Sequence, residues 1–358
     1  MAREVYMLYG MFVLHIVGFA GALVARRLKV PAGALIGSML AVVLCTITTG
    51  FGELYPGNLR IVIQIVSGLV IGSRFTRSDI AMFRRVGLPA LVFVVMLLLL
   101  NVVFAAWMAH ASSLSLVTSF FACAPGGVSD LALVAADFGA DMENVSLLQM
   151  FRFMFVISFF PPLVKRLFAK KVPIRPAVPL DASGRRGAAV SVRPAYTGFA
   201  TTVVLAVGGG VLFDMAGIPA GALIGAMVAV AAFNMATSRA WYPGWLRFAI
   251  QLFAGTYIGA KVSLDSIVSL PALLVPMAIL LLELFVMAFL TAWVLHLVFH
   301  IDFATALFAS IPGGIAEMGL VSEEMGLDTP RIVFLHSCRV FAVMVMLPIA
   351  ARLLSLFG

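Results

Sequence analysis

The sequence predicts an all-α, polytopic membrane protein made of two inverted copies of one unit, and three observations predict it. The chain of 358 residues is 63% hydrophobic and only 11% charged, with a mean hydropathy of +1.11. A surface facing water needs far more charge than that. Apolar runs of membrane-spanning length recur from end to end. They are continuous, whereas a transmembrane β-barrel shows short alternating segments. Lastly, the chain repeats itself.

Val30-Pro-Ala-Gly-Ala-Leu-Ile-Gly37 returns as Ile218-Pro-Ala-Gly-Ala-Leu-Ile-Gly225. Tyr55-Pro-Gly returns as Tyr242-Pro-Gly. Gln64 matches Gln251, Gly72 matches Gly259, and Pro89 matches Pro276. Pro125-Gly126-Gly127 matches Pro312-Gly313-Gly314, Asp130 matches Glu317, and Arg152 matches Arg339, at a constant offset of 187 residues. This divides the chain into repeat 1 (1–169), a basic linker (170–195) rich in Pro, Arg and Ala, and repeat 2 (196–358). Each repeat carries six apolar segments. In the first they lie near 6–25, 31–49, 59–73, 87–110, 114–138 and 145–167. In the second they lie near 196–214, 218–237, 246–260, 272–298, 303–325 and 332–355. The first segment has a counterpart in the second repeat, so it reads as a retained helix and not a signal peptide.

The net charge of +8 sits in short clusters beside apolar runs, such as Arg26, Arg27 and Lys29, or Arg74, Arg77, Arg84 and Arg85. That is the pattern of cytoplasmic loops, not of a nucleic-acid surface. Equivalent loops of the two repeats carry opposite bias. After segment one, repeat 1 has Arg-Arg-Leu-Lys and repeat 2 has Asp-Met-Ala-Gly. After segment two the basic excess moves to repeat 2, with Arg239 and Arg247. The repeats therefore take opposite orientations, as in many secondary transporters. Inversion requires an odd number of crossings per repeat, so one of the six segments fails to cross. This gives about ten transmembrane helices plus two broken segments.

The fifth segment is the one expected not to cross. Pro-Gly-Gly divides it into limbs of about 11 residues, ~16 Å each as helix. They form either a re-entrant hairpin or one discontinuous crossing, and the charges favour the hairpin. Backbone freed at that depth must be buried or line a cavity. The residues after the break, Val128-Ser129-Asp130 and Ile315-Ala316-Glu317, start a new helix inside the membrane. Its free N–H groups and positive dipole end suit an anionic group.

The duplicated plan resembles the AbrB membrane-protein family of bacteria. The resemblance is carried by Pro-Ala-Gly-Ala-Leu-Ile-Gly, the Pro-Gly-Gly-hydrophobic-x-Glu/Asp element, and the Leu-x-x-x-Arg stretches at Leu148 to Phe153 and Leu335 to Phe341. The resemblance implies a multi-pass protein of the bacterial inner membrane. The family carries three conflicting labels: transport protein, ammonia monooxygenase, and regulator of gene expression. Pro125-Gly126-Gly127 and Gly139-Ala140-Asp141-Met142 are also similar, more weakly, to elevator-type bile-acid symporters and cation/proton antiporters. That likeness implies a broken segment that crosses.

The candidate substrate- or ion-binding residues are Pro125, Gly126, Gly127, Ser129, Asp130 and Arg152, with Pro312, Gly313, Gly314, Glu317 and Arg339. Asp130 and Glu317 are either helix caps or protonatable groups, since intramembrane carboxylates are costly without a function. Arg152 and Arg339 lie about eight residues, ~10 Å, into the sixth segments. They need a partner, most simply Asp130 or Glu317, and either lock the core or bind a substrate carboxylate or phosphate. Gln64 and Gln251 read as interhelical hydrogen-bonding or lining residues. Glu283, unmatched in the fourth segment, is a candidate coupling group. Asp137, Asp141, Glu143, Glu323, Glu324 and Asp328 read mostly as solvated loop acids.

No catalytic residues, cofactor or metal site is expected. Of five histidines only His296 and His300 have helical i, i+4 spacing, and repeat 1 has no counterpart. Three scattered cysteines give neither a disulfide framework nor zinc spacing. No nucleotide-binding loop or hydrolase triad spacing occurs, so the oxygenase label has no support in the residues. The expected function is secondary transport of a small solute, preferably an organic anion, by an elevator-like mechanism. The expected partners are membrane lipid and that substrate, with no nucleic acid. Small residues in the first three segments suit a scaffold and a homodimer face.

Overall fold

The computed structural model describes residues 2–28, 30, 32–168, 196–218, 220–262, 270–313, 315, 318, 322 and 325–354. The expected linker at 170–195 and Gly314, Ala316, Glu317, Glu323 and Glu324 lie outside the described residues. Every regular element among them is helical. Repeat 1 forms α1 (Ala2–Arg27), α2 (Gly33–Thr49), α3 (Leu59–Gly72), α4 (Arg77–Ala111), α5 (Leu116–Cys123), α6 (Val128–Asp137) and α7 (Met142–Phe168). Repeat 2 forms α8 (Tyr196–Met215), α9 (Gly221–Thr237), α10 (Trp245–Lys261), α11 (Leu274–Phe299), α12 (Phe303–Ser310) and α13 (Thr329–Leu354).

Six of these helices are long and apolar enough to cross a membrane: α1, α4 and α7, and their counterparts α8, α11 and α13. Large apolar side chains project outward along them, including Phe12, Leu91, Leu99, Leu212, Trp293 and Ile349. Such a surface suits lipid and not water. The protein is therefore a helical membrane protein. α4 starts ten residues before its expected apolar run, because Thr76 and Asp79 make a capping box: Thr76 N donates to Asp79 Oδ2 at 2.7 Å. The added turns carry Arg77, Arg84 and Arg85 on their exposed side.

The two repeats interlock. α2 packs on α10, and α3 packs on α9. A Cβ at Gly68 or Gly72 of α3 would collide with the carbonyls of Leu223 and Met227 on α9. A Cβ at Gly255 or Gly259 of α10 would collide with those of Leu35 and Met39 on α2. The contact is reciprocal, residue for residue, as a two-fold arrangement demands. Gly-x-x-x-Gly spacing lets the backbones touch. Within each repeat the first and second segments meet in the same way, at Gly21–Gly37 and Gly209–Gly225. Much of the small-residue surface read as a scaffold and dimer face is thus used inside the chain. The two fourth segments, α4 and α11, pack against each other, and the first limbs of the broken segments, α5 and α12, pack on α4 and α11 respectively.

The Pro-Gly-Gly segment doubles back on itself. Ser115 caps α5 and accepts from Thr118 N at 3.1 Å; Asp302 caps α12 in the same way, accepting from Thr305 N at 3.1 Å. At the break, Gly126 N donates to Ala124 O at 2.9 Å, and Gly313 N to Ile311 O at 2.8 Å. The chain then returns along α6. Asp141 N, beyond its end, donates to Thr118 Oγ1, at the start of α5, at 3.1 Å. The rings of Phe121 and Phe138 lie 5.5 Å apart. A straight discontinuous helix would hold those ends more than ~25 Å apart. The two limbs are therefore a hairpin with its mouth at one end, unlike the crossing implied by the weaker resemblance.

Candidate functional site

Each break is held by the helix that follows its hairpin. Arg152 of α7 is 4% exposed and donates to the carbonyls of Cys123 at 3.0 Å, Ala124 at 2.7 Å and Gly126 at 3.5 Å. It also bonds the Gln149 side-chain oxygen. Gln149 Nε2 in turn reaches the carbonyls of Phe121, Ala122 and Ala124. In repeat 2, Arg339 of α13 is 3% exposed and donates to Ile311 O at 3.2 Å and Gly313 O at 2.9 Å. His336, in the place of Gln149, bonds Phe308 O at 3.1 Å.

Of the two expected partners, Asp130 does not bond Arg152, whose hydrogen bonds among the described residues go to backbone and to Gln149. The physical reason is the break itself. Ending α5 inside the protein orphans its last carbonyls, and their partial negative charge takes the guanidinium. A cation is thus built into each first limb.

The second limb presents the opposite pole. Gly127, the N-cap residue of α6, has no side chain to cap with, so the first N–H groups of α6 have no intrahelical partner. Asp130 lies in that first turn, in the field of Arg74. Ser129 Oγ is 3.5 Å from Asp130 Oδ1.

Both breaks open on one cavity of about 240 Å³. Gly126, Gly127, Ser129 and Asp130 line it from repeat 1, and Pro312, Gly313, Ile315 and Arg339 from repeat 2. Ser67 of α3, Arg74 in the turn after it, and Arg247 and Gln251 of α10 complete its polar wall. Three guanidinium groups therefore face one described carboxylate. Of the expected site residues, Pro125 is buried and does not line the cavity, and Arg152 stands behind the break that does. Gly314 and Glu317 lie outside the described residues.

Gln64 is engaged elsewhere. It donates to Asp137 Oδ2 at 2.8 Å, and Arg60 Nη2 lies 2.5 Å from Asp137 Oδ1. Asp137 is therefore not the solvated loop acid expected, but a latch between α3 and the end of α6. Asp141 is exposed and caps α7, accepting from Glu143 N and Asn144 N. Asp328 pairs with Arg331. Glu283 is buried on α11, away from the cavity wall, with Cys123 and Arg152 as electrostatic neighbours. His296 Nδ1 bonds the backbone of Ile301 at 2.7 Å, and His300 takes a left-handed conformation to end α11.

Sequence reasoning missed Ser67, Arg74 and Arg247 as cavity residues, and Gln149 and His336 as carbonyl donors. Arg74 had been grouped with a cytoplasmic cluster. Gln149 and His336 share a position at the repeat offset, but they differ in kind, so a search for repeated identities passes over them.

The comparisons with known proteins agree with this duplicated plan. The sequence model of the family described as "Transition state regulatory protein AbrB" matches twice, over residues 2–168 and 173–355. "Putative regulator AbrB" of Escherichia coli (strain K12) is 26% identical over 333 residues, covering 92% of this chain and 91% of that one. "Uncharacterized protein YhjN" of Bacillus subtilis (strain 168) is 26% identical over 299 residues, 81% of this chain and 77% of its own. With two tandem matches that fall on the two interlocked repeats, the chain belongs to the AbrB family.

Proposed function

We propose that this protein is a secondary transporter of a small organic anion, multi-pass in a bacterial inner membrane, working by elevator-like alternating access. The observation that carries this reading is the shared cavity. Two helix breaks from two repeats face one space, with guanidinium groups and the unsatisfied N-terminus of α6 on its wall. In this reading each repeat crosses five times, through segments one to four and six, and the hairpins enter from opposite faces. Arg152 and Arg339 each lie ten residues from the start of their helices, ~15 Å along them. That is half of a ~30 Å hydrocarbon layer, so the breaks meet near the midplane.

The roles follow from charge. Arg152 and Arg339 occupy the carbonyl ends where discontinuous transporter helices hold a coupling cation. The anion is assigned to the N-terminal ends and the arginine-lined wall, and Asp130 and Glu317 set the charge balance around it. The interlocked α2, α3, α9 and α10 serve as scaffold, and the hairpins with α7 and α13 move against them. The word "regulator" in a relative's name then reflects an indirect effect of a transported solute.

The test is flux. Purified protein in proteoliposomes is assayed with labelled succinate, benzoate and inorganic phosphate. Uptake of a carboxylate that falls in Asp130→Asn and Arg339→Ala supports the reading; protein-independent movement of all three sinks it. Topology has its own test. Single cysteines at Gly139 and Gly326, in a background without native cysteines, are labelled from opposite faces if the repeats are inverted. Labelling from one face rejects inversion.

A further inference from the structure

We propose that Glu283 is a reversible protonation site, and that its proton is the coupling ion of transport, exchanged through competition for Arg152. The site is not on the cavity wall. Glu283 sits in the middle of α11, 2% exposed, and both of its carboxyl oxygens lack a hydrogen-bond partner among the described residues. A carboxylate left in that state is among the most costly arrangements a protein core or a membrane can hold. A neutral acid in the same place is far less so.

Two ionisable groups act on Glu283: the Cys123 thiol at the end of α5 and the Arg152 guanidinium of α7. Among the described residues, the other elements packed on α11 are α4, α12 and the Leu270–Leu273 turn, which has no ionisable side chain. The charged residues of α4 lie toward its ends, at Arg77, Asp79, Arg84, Arg85 and His110, and α12 carries no ionisable side chain. Arg152 is already committed to the carbonyls of Cys123, Ala124 and Gly126 and to Gln149. It faces the acid without bonding it.

This gives two self-consistent states. With Glu283 protonated, Arg152 stays on the carbonyls and braces the first hairpin. With Glu283 ionised, the carboxylate competes for the same guanidinium, and the carbonyl brace weakens. Only the O–H bond of the carboxyl group is broken, and the proton leaves to water. Protonation is thereby linked to how firmly the hairpin is held, which is what a coupling group must do.

Among the described residues, the equivalent positions of the other repeat carry no such device. The position of Glu283 on α4 is Met96, and that of Cys123 is Ser310, whose hydroxyl bonds Ala306 O at 2.8 Å. An acid retained on one side alone is not required for packing, because the other repeat packs with a methionine there.

The protonation arm stands independently of transport, whereas the coupling arm rests on the transporter reading, so their failures are distinguishable. Infrared spectra of the purified protein in nanodiscs are recorded across neutral pH, in H₂O and D₂O, for wild type, E283Q and E283M. The methionine variant copies Met96 and covers the case in which the amide fails to fold. The expected result is a protonated-carboxyl band in wild type that shifts in D₂O and is missing from either folded variant. A wild-type spectrum with no Glu283-dependent band overturns the site. In the second arm, proteoliposomes containing a pH-sensitive dye are given a succinate or benzoate gradient. Coupling predicts dye acidification in wild type, and at least a tenfold loss of it in E283Q with anion exchange retained. Anion flux with unchanged proton movement in E283Q overturns the coupling. A Glu283-dependent band with no flux of either anion supports the protonation site and overturns the transporter reading.

Discussion

Arg152 and Arg339 occupy equivalent places in two hairpins, yet what surrounds them differs. Arg152 has three carbonyls, a glutamine and, beyond them, a buried acid from the other repeat. Arg339 has two carbonyls and a histidine neighbour, with Met96 where the acid would be. The end of the first hairpin is latched to α3 through Asp137, Arg60 and Gln64. Their counterparts on α10, Arg247 and Gln251, line the cavity. What the halves share is the means of stopping a helix inside the protein. What they do not share, among the described residues, is a buried acid beside the arginine. Duplication supplied the architecture, and divergence placed that acid beside one arginine alone.

The largest effect expected is at the shared feature, and it is unequal. Arg152→Ala strips a donor from three carbonyls, of which Ala124 O keeps Gly126 N and Gln149, and removes the cation beside Glu283, at a cost of about 4 kcal/mol. Arg339→Ala strips a donor from two, of which Ile311 O keeps Gly313 N, and costs about 2 kcal/mol. Thermal unfolding in one detergent ranks the two variants. A larger loss at Arg339 reverses the comparison, and wild-type melting of both removes the carbonyl brace altogether.

The interlocked scaffold predicts equality instead. Gly72→Leu and Gly259→Leu each push a side chain into a backbone carbonyl of the partner repeat. Each is expected to destabilise by about 2 kcal/mol. A gap of more than ~1 kcal/mol between them, by the same melting assay, would show that the reciprocal contacts are not equivalent in strength.

The parts of this structure legible in the sequence are those that duplication repeats by identity. The Pro-Gly-Gly breaks, the two arginines and the Gly68-x-x-x-Gly72 and Gly255-x-x-x-Gly259 pairs stand at one offset. The turn at the break needed only proline and glycine chemistry. The partner of Arg152 was not legible. A guanidinium suggests a carboxylate, and the orphaned carbonyls that claim it exist only once the hairpin is folded. Glu283 was recognised as unusual, but its neighbour Cys123 belongs to the other repeat, and no periodicity links α11 to α5. Asp137 looked like a loop acid because it stands at the end of the apolar segment, just before Gly139 and Asp141. Its partners come from a helix far back in the chain.

The latch gives a smaller effect. Asp137→Asn keeps an acceptor for Gln64 but loses the charge that Arg60 answers. The side chain of Asp137 is 14% exposed and that of Arg60 27%, so screening is partial. About 1 kcal/mol is expected. Arg60→Ala is expected to match it, and the double variant to add little beyond either. Additive losses in that cycle would mean that the two residues are not coupled, and that α3 does not hold the hairpin through this pair.

The smallest effect expected tests whether Gln149 and His336 are interchangeable donors. Gln149 offers an NH₂ group to three carbonyls and an oxygen to Arg152. His336 reaches one carbonyl, and its other ring nitrogen is buried without a partner. His336→Gln therefore keeps the bond to Phe308 O and gives Arg339 the acceptor that Arg152 already has. It is expected to be neutral or to stabilise by about 0.5 kcal/mol. The reverse change, Gln149→His, gives up two donor contacts and is expected to cost about 1 kcal/mol. Measured together, the pair asks whether the second brace is weaker because of one residue. If His336→Gln destabilises by as much as Gln149→His, the histidine is fitted to its own hairpin, and the weaker hold on that break is a property of the whole repeat.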